Sequence, residues 1–420
     1  MSRNRDLKLD WISLLLMGVL LLIGWLNIYA ASSKSLSTEI FDLDLESGRQ
    51  MIWIAVAILT GLVVLSLDTK FIEFTSLGIY GLCMFLLVLV LLFGREVNGS
   101  KSWFELGFFR LQPSEFAKVG TAMALARVMS TVNFSLRNTA DQLKVLAVIG
   151  LPIGLILLQK DTGTALVFCS FFFVLFREGM SYVYVVFLLL AGIFAVLAIV
   201  ANKVLVIIAI LSLGFLSYYF VFRYRHLRLH IAIATALVGL TLSIDFIVNH
   251  VLLPHQRIRI LALFDPKVDP LGANWNTTQS KIAIGSGGLA GKGFLNGTQT
   301  KYDFVPQQST DFIFCTVGEE HGWFGSILVL ALLFLFLYQV IQMAELAKSD
   351  YSRVFGYAVA SIFFFHIVVN ISMTIGLAPV IGIPLPFFSY GGSSLLAFTT
   401  MVFMLQNLFA NRIYILTHSR

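Results

Sequence analysis

The chain consists of long apolar runs separated by short polar connections, and one much longer polar stretch interrupts this pattern at residues 253–311. A run of about 20 apolar residues is long enough to cross the hydrocarbon core of a membrane as an α-helix. The pattern predicts about twelve spans, and the two short runs beside Lys160 and Asp161 are the weakest of them. The predicted spans are Trp11–Ala30, Met51–Leu67, Phe71–Phe93, Ser114–Val132, Leu146–Leu158, Gly163–Phe176, Tyr182–Ala201, Val204–Phe222, Ile231–Leu252, Phe312–Met343, Phe355–Leu377 and Ser393–Phe409.

Composition agrees with this pattern. Hydrophobic residues make up 58% of the 420 residues and charged residues 12%, with a mean hydropathy of +0.87. Soluble domains carry about 25% charged residues. The predicted fold class is therefore all-α, a polytopic integral membrane protein of about 10–12 transmembrane helices surrounded by membrane lipids. The formal net charge of +6 fits basic cytoplasmic loops and does not indicate a nucleic-acid partner.

Lysine and arginine are unevenly distributed between the predicted loops. With a cytoplasmic N-terminus, the inner loops hold about twice as many of them as the short outer segments do, as expected from the positive-inside rule. An odd number of predicted spans precedes residue 253, so 253–311 is predicted to be one large extracytoplasmic loop. The whole chain, residues 1–420, is expected to form a single transmembrane domain.

One predicted span opens with ionisable residues, which are rare inside membranes and often functional. Pro113 is suited to the first position of a helix. Glu115 and Lys118 are three residues apart, so they can pair on one helix face. Such a pair could neutralise itself and only pack, or it could serve a site.

Two further polar positions interrupt apolar runs. Lys160 and Asp161 could form a second buried pair or mark a short break at the membrane interface. Glu319 and Glu320 follow Asp311 at helical spacing, and they could either face water at the outer end of a span or belong to a site.

The long polar loop holds the strongest candidate site. Asp265 and Asp269 each precede a proline, which favours turns over helix at both aspartates. A turn carboxylate beside an apolar surface can act as a general base, although two purely structural turns would have the same sequence. Arg257 and Arg259 place two guanidinium groups nearby, and guanidinium suits phosphate or pyrophosphate.

Glycine-rich turns follow in the same loop. Residues 285–288 and 291–293 supply backbone N–H groups that could cradle an anion. The spacing does not fit a nucleotide-binding phosphate loop. Near the C-terminus, two prolines and three glycines at residues 382–394 predict a second, cavity-lining break at membrane depth, a feature that transporters share.

Taken together, these motifs resemble the SEDS family (shape, elongation, division and sporulation), on the elongation side of that family. The motifs occur in the family's order and cover most of the chain. The segments that carry the resemblance are Asn98–Trp103, Arg110–Lys118, Asp161–Ala165, Gln256–Arg259, Asp265–Gly272, Gln279–Gly288, Gly291–Gly293, Gly297–Gln299, Thr310–Phe314, Gly318–Glu320, Pro384–Pro386 and Ser389–Ser393.

The resemblance implies a peptidoglycan glycosyltransferase that polymerises lipid II at the outer face of the bacterial cytoplasmic (inner) membrane. It makes 253–311 the catalytic loop and places the family's essential aspartate on Asp269, whereas Asp265 matches a position that varies. It also implies a class B penicillin-binding protein, a transpeptidase, as partner. The expected substrate-binding residues are Arg257, Arg259, Arg110, Lys118, Glu115, Asp161, Lys281, Ser280, Thr310, Asp311 and Ser389.

The reaction expected from this resemblance needs no cofactor that the sequence identifies, although a divalent cation (Mg or Mn) could assist. Attack opposite an α-linked leaving group gives inversion without a covalent enzyme intermediate. Two alternatives fit the same features: a lipid II flippase, and a non-catalytic scaffold for a transpeptidase. A flippase would need its charges near the midplane, whereas the paired Asp-Pro turns favour surface chemistry.

The sequence departs from the family pattern at four points. Lys160 stands where the family has proline. Gln307 and Ser309 stand where the family has glutamate and histidine, so no carboxylate role is expected at position 307. The family has ten spans, and Val204–Phe222 with one neighbour forms an apparent added pair that leaves the sidedness of the long loop unchanged.

Overall fold

The protein divides into two compact units, Met1–Glu178 with Asn276–Arg420, and Gly179–Trp275. The single domain expected from the sequence stays a prediction, and each unit is described by itself. The computed structural model describes residues 9–32, 42–97, 99–107, 109–221, 227–246, 248, 250, 257–258, 275–302 and 304–411.

The described residues are mainly helical, as the sequence predicted. Ten of their helices are long and apolar enough to cross a membrane. The helices of the first unit are α1 (Trp11–Ser32), α2 (Glu46–Ser66), α3 (Thr69–Phe93), α4 (Pro113–Met129), α5 (Thr139–Leu158), α6 (Thr162–Phe168) and α7 (Phe171–Arg177). After the second unit they continue as α11 (Trp275–Ser286), α12 (Thr298–Lys301), α13 (Ile313–Glu345), α14 (Asp350–Thr374) and α15 (Gly392–Ala410), where α11 begins one residue before the unit boundary.

Helices α4, α14 and α15 form the centre of the first unit. About three quarters of the membrane-spanning windows of α14 and α15 is buried, 72% and 78%, against 28–39% for α1, α2, α3, α5 and α13. Helix α4 has only 17 residues and is buried along most of its length. Because α4 meets protein instead of lipid, it can carry polar side chains that a lipid-facing helix would expose. This burial explains how Glu115 and Lys118 fit inside a membrane protein.

A small antiparallel sheet joins α3 to α4, a feature that the sequence did not predict. Its strands are β1 (Arg95–Val97), β2 (Ser100–Leu106) and β3 (Phe109–Leu111), in the order β1-β2-β3. Two of the strands have three residues each, too few for an alternating pattern to be recognised. Glu105 lies opposite Arg110 in the β2–β3 register and also pairs with Arg95.

The opposite end of the first unit is held by ion pairs between helix ends. Arg127 Nη1 lies 2.6 Å from Glu73 Oε1, which links the end of α4 to the start of α3. Arg353 Nη2 lies 2.9 Å from Glu178 Oε2, which links the start of α14 to the end of α7. The first unit therefore has an end held by ion pairs, called the ion-pair end, and the sheet and the N-terminus of α4 lie at the other end.

The second unit is a small group of three apolar helices, α8 (Tyr182–Val200), α9 (Lys203–Leu216) and α10 (Leu227–Phe246). Its core is formed by Phe194, Val206, Ile210 and Leu237. A short π-helical turn, Ser217–Val221, extends α9. These helices match three predicted spans and include the pair that the sequence marks as added.

Candidate active site

A buried lysine lies in the centre of the first unit, near the N-terminus of α4. Pro113 starts that helix, as predicted, and Glu115 and Lys118, about one turn apart, lie on one face of it. Lys118 Nζ lies 2.9 Å from Glu115 Oε1 and 2.8 Å from Glu115 Oε2. Lys118 is fully buried and Glu115 nearly so. The predicted pair therefore forms.

A histidine from α14 completes the surroundings of Lys118. His366 Nε2 lies 2.9 Å from Lys118 Nζ, and His366 Nδ1 lies 2.9 Å from the carbonyl oxygen of Pro384. The ring of Phe398 packs edge-on against His366 and lies 5.2 Å from the ammonium. A carbonyl only accepts, so Nδ1 is the donor and Nε2 of a neutral ring accepts from the lysine.

Asp161 lies at a break between two short helices, which decides between the two interpretations of Lys160 and Asp161. Its carboxylate accepts from the Thr164 backbone N–H at 3.0 Å and from the Thr164 hydroxyl at 2.9 Å, which caps α6. Gln112 Nε2 donates to Asp161 Oδ2 at 3.1 Å. Lys160 is exposed with a φ of 61°, so the two residues do not form a buried pair.

The non-helical segment between α14 and α15 lies against these groups. Directly after this segment, in the first turn of α15, Ser393 Oγ donates to the Arg110 carbonyl at 3.1 Å and accepts from the Gln112 backbone N–H at 3.2 Å. A Cβ on Gly163 would collide with the carbonyl oxygen of Ile381, so only glycine allows this approach of α6. The predicted break is confirmed at residues 382–391, α15 begins at Gly392, and the stretch from Ile381 to Ser393 contacts β3, Gln112 and α6.

Asp311 lies beside the same break, just before α13. A Cβ built on Gly382 would lie 3.4 Å from Asp311 Oδ2. Asn370 Nδ2 donates to the carbonyl oxygens of Asp311 at 2.9 Å and of Ile383 at 2.7 Å. One side chain of α14 therefore holds two separate backbone segments. Burial raises the pKa of the Asp311 carboxyl to about 6. Thr310 donates its hydroxyl to the Gln307 carbonyl at 3.2 Å.

Helix α11 carries two further predicted residues to the end of α14. Ser280 Oγ donates to the Thr374 carbonyl at 2.9 Å. Lys281 is exposed, and a Cβ on Gly376 would lie 2.6 Å from its Nζ. Ser389 is buried, and its hydroxyl accepts from the Leu385 backbone N–H at 2.8 Å within the break.

Glu319 and Glu320 are buried in α13 and do not face water. Glu319 accepts from Lys292 Nζ at 2.7 Å and from the backbone N–H groups of Gln299 at 2.8 Å and Thr300 at 3.0 Å. The hydroxyls of Thr298 and Thr300 also donate to it, at 3.2 and 3.0 Å. Glu319 therefore anchors the segment 292–300.

The glycine-rich turn before that segment is packed against a break in α13. Gly322 has a φ of 64°, and a Cβ there would collide with the backbone nitrogen of Gly291. Gly291 N–H donates to Gly287 at 2.8 Å, Lys292 N–H to Glu319 at 3.0 Å and Gly293 N–H to Glu320 at 2.9 Å, each through a backbone carbonyl. The predicted anion cradle at residues 291–293 is wrong, because its donors already have acceptors.

Comparisons with known proteins agree with this architecture. The family model described as FtsW, RodA and SpoVE cell cycle protein matches residues 10–214 and 202–413. The chain is 36% identical over 413 residues to the peptidoglycan glycosyltransferase RodA of Treponema pallidum, covering 92% of this chain and 94% of that protein. It is 34% identical over 392 residues to the peptidoglycan glycosyltransferase MrdB of Escherichia coli K12, covering 92% and 90%.

The chain belongs to the FtsW/RodA/SpoVE family.

Solved structures share its fold. One, from a study of polymerisation and crosslinking by a peptidoglycan synthase complex, has a TM-score of 0.71 at 26% identity, covering 97% of this chain and 99% of its own. Thermus thermophilus RodA has a TM-score of 0.63 at 24% identity, covering 97% and 98%. The two family-model matches overlap at residues 202–214, which cover the N-cap and most of α9, where the sequence indicates added spans.

The structure brings together several of the predicted site residues, but Asp269, the predicted essential aspartate, lies outside the described residues. Glu115, Lys118, Asp161 and the backbone of Arg110 lie around the α14–α15 break, and Asp311 lies beside that break. Ser280 and Lys281 lie at the end of α14. Asp265, Asp269 and Arg259 lie outside the described residues, and Arg257 lies in a described two-residue stretch of the second unit. Their roles stay predictions.

Sequence reasoning missed His366 and Asn370, both buried in α14. A lone histidine within an apolar run gives no local signal, and its partner Lys118 is 248 positions away. Among the described residues, no group of three or more His, Cys, Asp or Glu side chains could hold a metal ion. The assisting divalent cation therefore stays a prediction.

Proposed function

We propose that this protein is a peptidoglycan glycosyltransferase that polymerises lipid II into glycan strands during cell elongation, with inversion and release of undecaprenyl pyrophosphate. The observation that carries the proposal is the identity of 34–36% over about nine-tenths of the chain with two proteins named peptidoglycan glycosyltransferase. The polar cluster around Lys118 supports it, because buried charge in a membrane protein usually serves a function.

The proposed reaction joins two lipid II molecules. A hydroxyl of one disaccharide attacks the anomeric carbon of the other, the new glycosidic bond forms, and the bond to the pyrophosphate breaks. The hydroxyl proton passes to a base, and the electron pair leaves with undecaprenyl pyrophosphate. Attack opposite an α-linked leaving group yields a β-linked polymer in one step.

Asp269 is the proposed base. Arg257, Arg259, Arg110 and Lys118 are the proposed cations for the departing pyrophosphate, since preorganised positive charge stabilises charge that develops in a transition state. Lys118 is suited to this task because it is already desolvated and held by Glu115. Asp161, Asp311, Thr310, Ser280, Lys281 and Ser389 are proposed to contact the bound disaccharide or to shape its site. Mg²⁺ or Mn²⁺ would add positive charge at the pyrophosphate.

The proposed location is the bacterial cytoplasmic membrane, with the site on the periplasmic side. The ion-pair end of the first unit, with Arg127, Arg177 and Arg353, lies opposite the end with Gln112 and Asp161. The excess of lysine and arginine in the predicted inner loops of the sequence supports an outward-facing site. A class B penicillin-binding protein is the proposed partner, in keeping with the synthase complex of the solved relative.

The test uses purified protein, co-purified with a co-expressed class B transpeptidase, in detergent with lipid II as substrate. Asp269→Asn should fold but form no glycan strands. Asp265→Asn is the matched control, because it removes the other Asp-Pro carboxylate of the same loop, and it should polymerise at a rate near that of the wild type.

The detergent solution also separates the alternatives, because flipping has no meaning without a bilayer. A wild-type protein that makes glycan strands in detergent is a polymerase. Full polymerisation by Asp269→Asn would overturn the assigned base. A wild-type complex that forms no polymer while its transpeptidase is active would leave the scaffold or flippase alternatives.

A further inference from the structure

Lys118 has three N–H donors, and the surrounding side chains decide where they point. The two oxygens of Glu115 lie on one side of the ammonium and the ring of His366 on another. Glu115 is on the same helix as Lys118, so their pair can form wherever α4 goes. His366 is the group that fixes the ammonium relative to a different helix, α14.

The ring of His366 also contacts the α14–α15 break. Its Nδ1 donates to the Pro384 carbonyl at 2.9 Å, while its Nε2 accepts from Lys118 at the same distance. A doubly protonated ring would put a second cation beside the ammonium, with Glu115 as the one carboxylate in contact with Lys118 among the described side chains. One neutral imidazole therefore connects the lysine to the break that carries Ser389. Directly after that break, Ser393 in α15 contacts Arg110 of β3 and Gln112.

We propose that His366 is a positioning residue for the glycosyltransferase reaction: it aims the Lys118 ammonium at the substrate pyrophosphate and fixes its distance from the α14–α15 break. This inference rests on the proposed function. An ammonium held by Glu115 alone could rotate toward its own helix, and a misplacement of about 1 Å can lower a rate on the order of 100-fold. His366 itself touches no reacting atom.

Two amide substitutions distinguish the two hydrogen bonds that the His366 ring makes. In His366→Gln the amide reaches the position of Nε2, so its oxygen can still accept from Lys118. In His366→Asn the amide reaches only the position of Nδ1, so it can still donate to Pro384 but leaves Lys118 without its acceptor. Both variants lose the same aromatic contact with Phe398.

The experiment measures kcat and KM for lipid II with the co-purified complex of each variant, normalised to monodisperse protein of known melting temperature. His366→Gln should stay within about fivefold of the wild-type kcat, and His366→Asn should lose on the order of 100-fold with little change in KM. His366→Leu should resemble His366→Asn.

A purely structural histidine predicts the reverse order, because asparagine keeps the bond to the break. Equal rates for the two amides, or a faster asparagine variant, would therefore overturn the positioning role. If either amide variant fails to fold, the kcat of His366→Leu decides: a rate near that of the wild type contradicts the proposal. Failure of the wild-type complex to polymerise would instead remove the proposed function, and this inference with it.

Discussion

Two carboxylates buried in the same membrane protein have very different surroundings. Glu319 accepts hydrogen bonds from Lys292, two backbone N–H groups and two hydroxyls, all from the segment 292–300. Glu115 has Lys118 as its one side-chain partner among the described residues, and that lysine also contacts a histidine from another helix. Both sites bury charge, but five donors from one segment hold Glu319, whereas a single ammonium shared with His366 holds Glu115.

The difference helps to distinguish structural from functional buried charge. The oxygens of Glu319 are saturated by its own polypeptide, so a substrate would have to break existing bonds to use it. Lys118 has bonds to Glu115 and His366, and its remaining surroundings include the face of Phe398. We therefore expect substitutions at Glu319 to affect stability and substitutions around Lys118 to affect catalysis.

The largest effect is expected for Lys118→Met. Loss of one preorganised charge that stabilises the leaving group should lower the polymerisation rate roughly 100- to 1,000-fold. The single variant leaves Glu115 buried without its ion-pair partner, which destabilises the fold. The double variant Lys118→Met with Glu115→Gln controls for this, since it should regain melting temperature without regaining rate. Recovery of both the melting temperature and the polymerisation rate would show that Glu115 and Lys118 have only a packing role.

The second prediction concerns Glu319→Ala. The substitution leaves several buried donors without an acceptor, and it should destabilise the protein by about 3 kcal/mol or more. A fall in melting temperature measures this effect, and the rate per folded molecule should change little. Lys292→Met is a milder control, because the backbone donors of Gln299 and Thr300 would still hold the carboxylate. A stable Glu319→Ala protein without activity would contradict the structural role.

The third prediction concerns the pH dependence of Asp311. Burial raises the pKa of its carboxyl from 3.8 to about 6, so the folded protein favours the protonated form. Relative to Asp311→Asn, the wild type should lose stability as pH rises from about 4 to about 6, and the gap should stay constant above that. Melting temperatures of both proteins across this range provide the measurement. If the stability difference between the two proteins instead grew as the pH fell, folding would be lowering the pKa of Asp311.

The smallest effect is expected for the exposed pair at the ion-pair end. Arg177 Nη2 lies 2.7 Å from Glu345 Oε1, and both side chains are about half exposed. Exposed pairs contribute about 0–1 kcal/mol, so Arg177→Gln should leave melting temperature and polymerisation rate nearly unchanged. A large loss of activity would show that charge at this end takes part in function.

The sequence predicted those parts of the fold that depend on local patterns. Apolar run length identified the helices, and Pro113 with the three-residue spacing of Glu115 and Lys118 predicted a helix start and a pair that the structure confirms. The break between α14 and α15 was also predictable, because proline and glycine interrupt an apolar run.

The remaining features depend on contacts between distant segments. The break at Gly322 was missed because one glycine inside a predicted span does not by itself indicate a break, and its cause is the close approach of Gly291. The burial of Glu319 could not be read from sequence, since two of its donors are backbone N–H groups, which every non-proline residue provides. His366 cannot be recognised from the sequence as a site residue, because its contact with Lys118 forms only when α14 packs against α4.

The most direct test of the account is polymerisation of lipid II in detergent by the wild-type complex, beside its Lys118→Met variant and the Escherichia coli relative as a positive control. The wild type should make glycan strands and release undecaprenyl pyrophosphate, and the variant should be slower by at least about 100-fold. A wild-type complex that makes no strands while the control does, or a variant as fast as the wild type, would contradict the account.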